Sequence, residues 1–139
     1  MSNEKARRWH PIGALPLIAR MIDGQLIDVE EQYRTLQEAR PRPHVLDDYT
    51  VNRVIRVYTT TLDDMHLFDE QLDRWKEGDL TEAQDREANR VKGQVRRIRT
   101  VVTAILKLAE ELKQGTIEAV LAKSDLQVGI EALLGEKLP

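Results

Sequence analysis

The chain has 139 residues, a formal net charge of −3, 41% hydrophobic and 32% charged residues, and no cysteine. This composition is too apolar for a disordered chain and too charged for a membrane protein, and it excludes disulfides, thiolate zinc sites and cysteine nucleophiles. No stretch reaches about 18 apolar residues and the N-terminus lacks a secretory signal, so we expect one cytoplasmic domain that enters no membrane.

Residues 1–13 are predicted to form an N-terminal arm, and residues 14–39 the first long helix. Proline is tolerated in a first turn, so Pro11 and Pro16 mark the start. The residues before Pro41 and Pro43 avoid the α conformation, which ends the helix. Its apolar residues recur at helical spacing: Leu15, Ile18, Ile22, Leu26, Val29, Tyr33 and Leu36.

The second long helix is predicted over residues 47–76. Asp47 or Thr50 can cap its start, and Gly78 is a typical stop. Its apolar stripe consists of Val51, Ile55, Tyr58, Leu62, Met65, Phe68, Leu72 and Trp75.

The third long helix is predicted over residues 81–114. Thr81 and Gln84 have the spacing of a capping box, and Gly115 follows the end. The stripe alternates steps of three and four, which indicates a packing seam with a period of 3.5 residues. The seam residues are Ala88, Val91, Val95, Ile98, Val102, Ile105, Ala109 and Leu112.

Residues 116–135 are predicted to form a C-terminal pair of short helices, because Thr116 can cap one and the sequence from Ser124 to Gln127 resembles a second capping box. We expect this pair to fold back over the far end of the third helix. The predicted fold is therefore all-α, an antiparallel up-down bundle of three long helices plus this pair, similar to a four-helix bundle.

Basic residues crowd the third helix but fall outside its seam. We expect them to pair with acids of the neighbouring helices. An alternative function is weak nucleic-acid association through the basic face of residues 86–99, formed by Arg86, Arg90, Lys92, Arg96, Arg97 and Arg99. The negative total charge and the lack of interleaved aromatic residues disfavour it.

A second alternative is a metal- or Mg-nucleotide-dependent all-α enzyme. Asp63, His66 and Glu70 are weak metal-ligand candidates on one ridge of the second helix. Di-iron bundles need two inward-facing Glu-x-x-His motifs, whereas this chain has one ridge with Asp in place of Glu, facing outward. We therefore predict no metal, no cofactor and no catalytic residue.

Two features leave alternatives open. Gly24, Thr60 and Arg96 lie at one height, which indicates either a ligand pocket or a close helix crossing with threonines bonded to their own turn. Apolar residues beside the stripe at the start of the first helix, including Leu17 and Met21, need a cover. That cover is either residues 1–14, with Trp9 inserted, or a second copy, which we favour.

Taken together, these patterns predict a non-enzymatic helical-bundle protein that acts through protein–protein interaction, as a scaffold or regulatory subunit. The expected partner is a second copy of the chain, forming a homodimer, or another helical protein.

Overall fold

The computed structural model describes residues 9–135, apart from the side chains of residues 124, 128, 131, 132 and 135. Within this range the regular structure is helical and no strand occurs, which confirms the all-α prediction. The elements are short 3-10 turns at Ile12–Ala14 and Pro43–Val45, and the helices α1 (Leu15–Ala39), α2 (Asp48–Lys76), α3 (Glu82–Lys113) and α4 (Ile117–Gly135).

Side-chain caps set the starts of α2 and α3. Asp47 accepts a 2.8 Å hydrogen bond from the Thr50 amide, and this bonding lowers the pKa of the Asp47 carboxyl. Thr81 Oγ1 accepts from the Gln84 amide at 3.1 Å, while Gln84 Oε1 accepts from the Thr81 amide at 3.0 Å. This capping box, predicted from the sequence, satisfies two amides that the first turn leaves without backbone partners.

Helix α3 occupies the centre of the bundle. It packs against both α1 and α2, whereas α1 and α2 make few direct contacts with each other. All eight predicted seam residues of α3 are buried, each with at most 2% of its surface exposed. The hydrophobic core therefore lies along the seam of α3.

Ion pairs between the helices fix their relative directions. From the start of α3 to its end, the partner residues on α1 have increasing residue numbers, whereas those on α2 have decreasing residue numbers. Helix α1 therefore runs parallel to α3, and α2 runs antiparallel to it. The pairs are Asp23–Arg90, Glu30–Arg97 and Arg40–Glu111 for α1, and Lys76–Asp85, Asp73–Lys92 and Asp69–Arg99 for α2.

Helix α2 buries less of its predicted stripe than α3 does. Val51, Met65, Leu72 and Trp75 are buried, whereas the middle of the stripe is half-buried. Because α2 has only one close long neighbour, the side that faces α1 stays partly open. The half-buried members are Ile55, Tyr58, Leu62 and Phe68.

The predicted pair of short helices is wrong, because residues 117–135 form one continuous helix, α4. Neither proline nor glycine occurs between residues 117 and 128, so nothing interrupts the backbone before the second capping motif. Serine and aspartate inside a helix cost only about 0.5 kcal/mol each relative to alanine, which is too little to break it.

The glycines provide a matched test of this packing. A Cβ added at Gly24, inside α1, would meet no atom within 4 Å, whereas one at Gly115 would lie 2.5 Å from Cγ of Pro43. We expect Gly24→Ala to raise the free energy of unfolding by about 1 kcal/mol, through helix propensity.

Gly115→Ala should lower the free energy of unfolding by roughly 1–3 kcal/mol, because the proline ring cannot yield without moving its backbone. Urea unfolding followed by circular dichroism measures both values. Equal effects of the two substitutions would contradict the described junction between α3 and α4.

Candidate functional site

Helix α4 exposes more large apolar side chains than any other element of residues 9–135. Seven of them are between 39% and 76% exposed, and its hydrophobic residues are spread around the axis instead of along one stripe. A helix that is apolar on several sides is normally enclosed by other elements. The exposed residues are Ile117, Val120, Leu121, Leu126, Ile130, Leu133 and Leu134.

The first residues of α4 are anchored to the turn between α1 and α2. Thr116 is fully buried, and its hydroxyl donates a 2.6 Å hydrogen bond to Oδ1 of Asp48. The Ile117 amide donates to the Leu46 carbonyl at 2.9 Å, and the Asp48 amide donates to Oε1 of Glu118 at 3.0 Å. The base of α4 is therefore held by several bonds.

Beyond this base, α4 projects from the bundle. Its described contacts with other elements are concentrated on the turn at residues 43–45. The prediction that the C-terminal segment folds back over α3 is wrong, since the large apolar side chains of α4 remain exposed. The 3-10 turn at residues 43–45 and the buried threonine direct the helix outward instead.

The apolar residues of α4 form two groups on opposite sides of the helix. At 100° per residue, Ile117, Val120 and Leu121 lie within about 60° of one direction. Leu126 and Ile130 point roughly the opposite way, Leu133 continues that second group, and Leu134 lies at its edge, about 40° from both Ile130 and Val120. We call the second group the distal face of α4. It contains the two most exposed leucines, Leu133 at 76% and Leu126 at 66%.

A groove of about 410 Å³ lies between α1 and α2, on the side where these helices barely touch. We call it the α1–α2 groove. Its floor is apolar, and within residues 9–135 Asp64 is the only carboxylate that lines it. The lining consists of Trp9, His10, Ile18, Met21, Ile22, Gln25, Thr61, Asp64, Met65, Leu67, Phe68 and Gln71.

The chain just before α1 closes one end of this groove. The His10 amide donates to Oε1 of the buried Gln71 at 2.6 Å, and Trp75 Nε1 donates to the His10 carbonyl at 2.8 Å. The Arg74 guanidinium lies 4.2 Å from the centre of the Trp9 ring, a cation–π contact. Trp9 Nε1 is buried without a hydrogen-bond partner in the described part of the chain.

Residues 9 and 10 do not cover the apolar start of α1. Leu17 and Met21 remain 55% and 53% exposed. Residues 1–8 of the predicted arm lie outside the described residues. The sequence left two alternatives for covering this apolar surface, residues 1–14 or a second copy of the chain. The described part of the arm closes only the end of the groove.

Arg90 is the most extensively bonded member of the basic face of residues 86–99. Its guanidinium donates two 2.9 Å hydrogen bonds to the Asp23 carboxylate and two, of 2.6 and 3.2 Å, to Glu87. These bonds lower the pKa of Asp23 and of Glu87 and raise that of Arg90. Arg90 therefore links α3 to α1.

Most other basic residues of this face are also paired. Arg97 bonds Glu30 on α1 at 2.7 Å, and Lys92 contacts Asp69 and Asp73 on α2. Partial burial disfavours the charged lysine, but its hydrogen bond to Asp73 and the nearby carboxylates outweigh this effect and raise the pKa of Lys92.

Arg99 lies farther from its acid, at 4.0 Å from Oδ2 of Asp69. Arg86 and Arg96 are exposed, and no ion pair of either occurs among the described residues. Acids on α1 and α2 thus neutralise much of the positive charge on this face.

The metal-ligand candidates do not converge. Asp63, His66 and Glu70 are exposed on α2, and no group of three or more histidine, aspartate or glutamate side chains in the described range could hold a metal ion. His66 instead borders a shallow depression of about 560 Å³ between α2 and α3, together with Arg96 and Arg99. We did not expect this basic depression from the sequence.

Gly24, Thr60 and Arg96, which the sequence places at one height of the bundle, do not line a single pocket. Thr60 Oγ1 donates to the Arg56 carbonyl at 3.2 Å, and its two neighbours bond back to their own turn in the same way. Gly24 is exposed with open space around it, so it does not mark a close helix crossing. Neither Gly24 nor Thr60 lines a described pocket, whereas Arg96 borders the basic depression.

None of the helices within residues 9–135 has the length and apolarity needed to cross a membrane. Comparisons of the chain with protein-family models, curated proteins and solved structures found no match. The geometry of the described residues is therefore the basis for any functional proposal.

The Arg90 network gives a prediction about stability and pH. We expect Arg90→Met to lower the free energy of unfolding by about 0.5–1 kcal/mol at pH 7 and low salt, a magnitude typical of exposed, screened ion pairs. Asp23 has a lowered pKa in the folded protein, so its contribution is present above the unfolded value of 3.8 and lost as the pH falls below it.

The difference between wild type and Arg90→Met should therefore shrink between about pH 4 and pH 2. Urea titrations across this range measure it. Arg86→Met is the matched control, because its arginine has no ion pair in the described structure, and it should change stability little at any pH. A pH-independent Arg90 effect would mean that packing of its aliphatic chain, and not charge, links the helices.

Proposed function

We propose that this chain is a non-enzymatic helical-bundle protein that acts through protein–protein interaction, as a scaffold or regulatory subunit that forms a homodimer. The exposed apolar surface of α4 carries the proposal. A continuous apolar helix held away from its own core is typical of a segment that packs against a partner. The anchored base at Thr116 supports it further, because a fixed base presents the helix in one orientation.

The energetics favour a contact over permanent exposure. Full burial of a leucine or isoleucine side chain stabilises by about 1.5–3 kcal/mol relative to leaving it in water. Six such residues and one valine on this helix therefore represent a large driving force, even after the cost of association is subtracted. Closed symmetric homo-oligomers are the commonest way in which such a surface is covered.

The other functions considered from the sequence receive less support. The basic face of residues 86–99 is largely paired with acids, which leaves few free charges for a phosphate backbone. No described cluster fits a metal. As part of the same proposal, the protein works in the cytoplasm, in keeping with a cysteine-free sequence whose acidic and basic residues are mixed.

Light scattering after size exclusion tests the proposal. We expect the full chain at high micromolar concentration to have twice the mass of one chain. Leu126→Glu combined with Leu133→Glu should weaken the dimer by more than about 100-fold, because each substitution removes about 1.5–3 kcal/mol of burial and introduces a charge.

Ile27→Glu is the matched control. Ile27 lies on α1 outside the α1–α2 groove and is 65% exposed, almost the same fraction as Leu126. This variant should remain dimeric. Circular dichroism should show the same helix content for all variants, since the substituted side chains are exposed. A wild type that stays monomeric at high micromolar concentration would refute self-association.

A further inference from the structure

We propose that the α1–α2 groove is the receptor for helix α4 of a second copy of this chain, so that two copies exchange their C-terminal helices. This inference rests on the proposed function, because it names the surface that α4 contacts. The distal face of α4 enters the groove, with Leu126, Ile130 and Leu133 as its anchors. Their spacing of i, i+4 and i+7 is the pattern by which an amphipathic helix binds a hydrophobic groove.

The dimensions of the two surfaces agree. Leu126 and Leu133 are seven residues apart, or about 10 Å along the helix axis. Ile18 and Gln25, the ends of the groove lining on α1, are also seven residues apart. On α2 it runs over ten residues, about 15 Å, and so extends past the anchors at the end where Trp9 and His10 lie. The groove therefore has room for all three anchors.

The chemistry of the two surfaces is also complementary. The groove offers flexible and aromatic side chains such as Met21, Met65 and Phe68, which adapt to branched aliphatic side chains. Asp64 is the only carboxylate among the described residues that line it, and Lys123 is the only basic residue in the sequence of α4. On the helical wheel Lys123 lies between Ile130 and Leu134, on the distal face. A docked α4 would thus bring the Lys123 ammonium to the groove that contains the Asp64 carboxylate.

The occupant comes from a second copy because the chain's own α4 is directed elsewhere. Its base is bonded to the 46–48 segment, and none of the α4 side chains that the structure describes lines the groove. The groove centre, near Ile22 and Met65, is 17 residues from the end of α1 at Ala39 and 17 from the start of α2 at Asp48. That separation is about 26 Å from the anchored base.

Exchange between two copies is reciprocal. Each chain donates one helix and accepts one, so a two-fold axis relates the two contacts and the assembly closes. Within each half, α1, α2 and α3 of one chain would be joined by α4 of the other, which completes a four-helix arrangement. The dimer would cover both the distal face of α4 and the exposed side of Met21.

The lack of cysteine allows a direct test by single-cysteine crosslinking of the full chain. Met21→Cys in one chain, which carries a size tag, is mixed with Ile130→Cys in another and oxidised. We expect a mixed disulfide in at least about fivefold excess over the control mixture of Ile27→Cys with Ile130→Cys. Ile27 is a matched control because it is exposed on α1 outside the groove.

A charge exchange tests whether Lys123 of one copy lies near Asp64 of the other. Asp64→Lys alone and Lys123→Glu alone should each weaken the dimer about threefold, and the combined variant should recover most of the loss. Both side chains are exposed, so folding is not at risk. Loss in both single variants without recovery in the combined variant would overturn the placement of Lys123 of one copy beside Asp64 of the other.

The remaining outcomes separate this inference from the proposed function. If the chain is a dimer but Met21→Cys gives no excess of mixed disulfide, the groove assignment is overturned, while the proposed self-association stands. If Met21→Cys and Ile130→Cys in one chain crosslink within a monomer, the occupant is the chain's own α4 and the exchange is overturned. If the chain is a monomer with no crosslink of either kind, both proposals fail.

Discussion

The structure depends on one helix, α3, which packs against two neighbouring helices at once. Helix α3 presents an unbroken seam of small and branched aliphatic residues, from Ala88 to Leu112, and both α1 and α2 pack on it. Side chains such as Val95, Ile98 and Val102 have no exposed surface. Because α1 and α2 use their apolar stripes mainly on α3, they have little left to bring them together. The opening between them follows from this arrangement.

Charges on the flanks of the seam keep the three helices in register. Arg90 and Arg97 reach acids on α1, while Lys92 reaches acids on α2. Each pair is at least partly exposed to solvent and contributes little to stability. Their two sets of partners lie on opposite flanks of α3, however, so a shift of either outer helix by one turn would separate several opposite charges at once. The apolar seam supplies most of the stability, and the pairs select its alignment.

The sequence predicted the local features that depend on a few neighbouring residues. The capping box at Thr81, the proline break after Ala39 and the seam of α3 all follow from backbone chemistry or from a period of 3.5, and all are found. Burial in α2 was harder to predict, because Phe68 belongs to its stripe but lines the open α1–α2 groove, and Leu62 borders the depression between α2 and α3. Periodicity identifies an apolar face without showing how many neighbours cover it.

The candidate site was less predictable for the same reason. The α1–α2 groove combines stripe residues such as Ile22 and Phe68 with residues outside the stripes, including Gln25 and Leu67, and these become neighbours only when the helices are packed. The direction of α4 depends on the contact of buried Thr116 with Asp48, 68 positions away in the chain. No local pattern contains that contact. The exposed apolar start of α1, in contrast, was apparent from the sequence and borders the groove.

The two-sided character of α4 has a further consequence for assembly. A helix with one apolar stripe can bury that stripe against a single partner. Here Ile117, Val120 and Leu121 point away from the distal face, so occupation of the distal face leaves them in water. If the distal face is covered as proposed, α4 therefore keeps a second apolar side that one partner does not enclose, and full coverage requires a further neighbour beside its base.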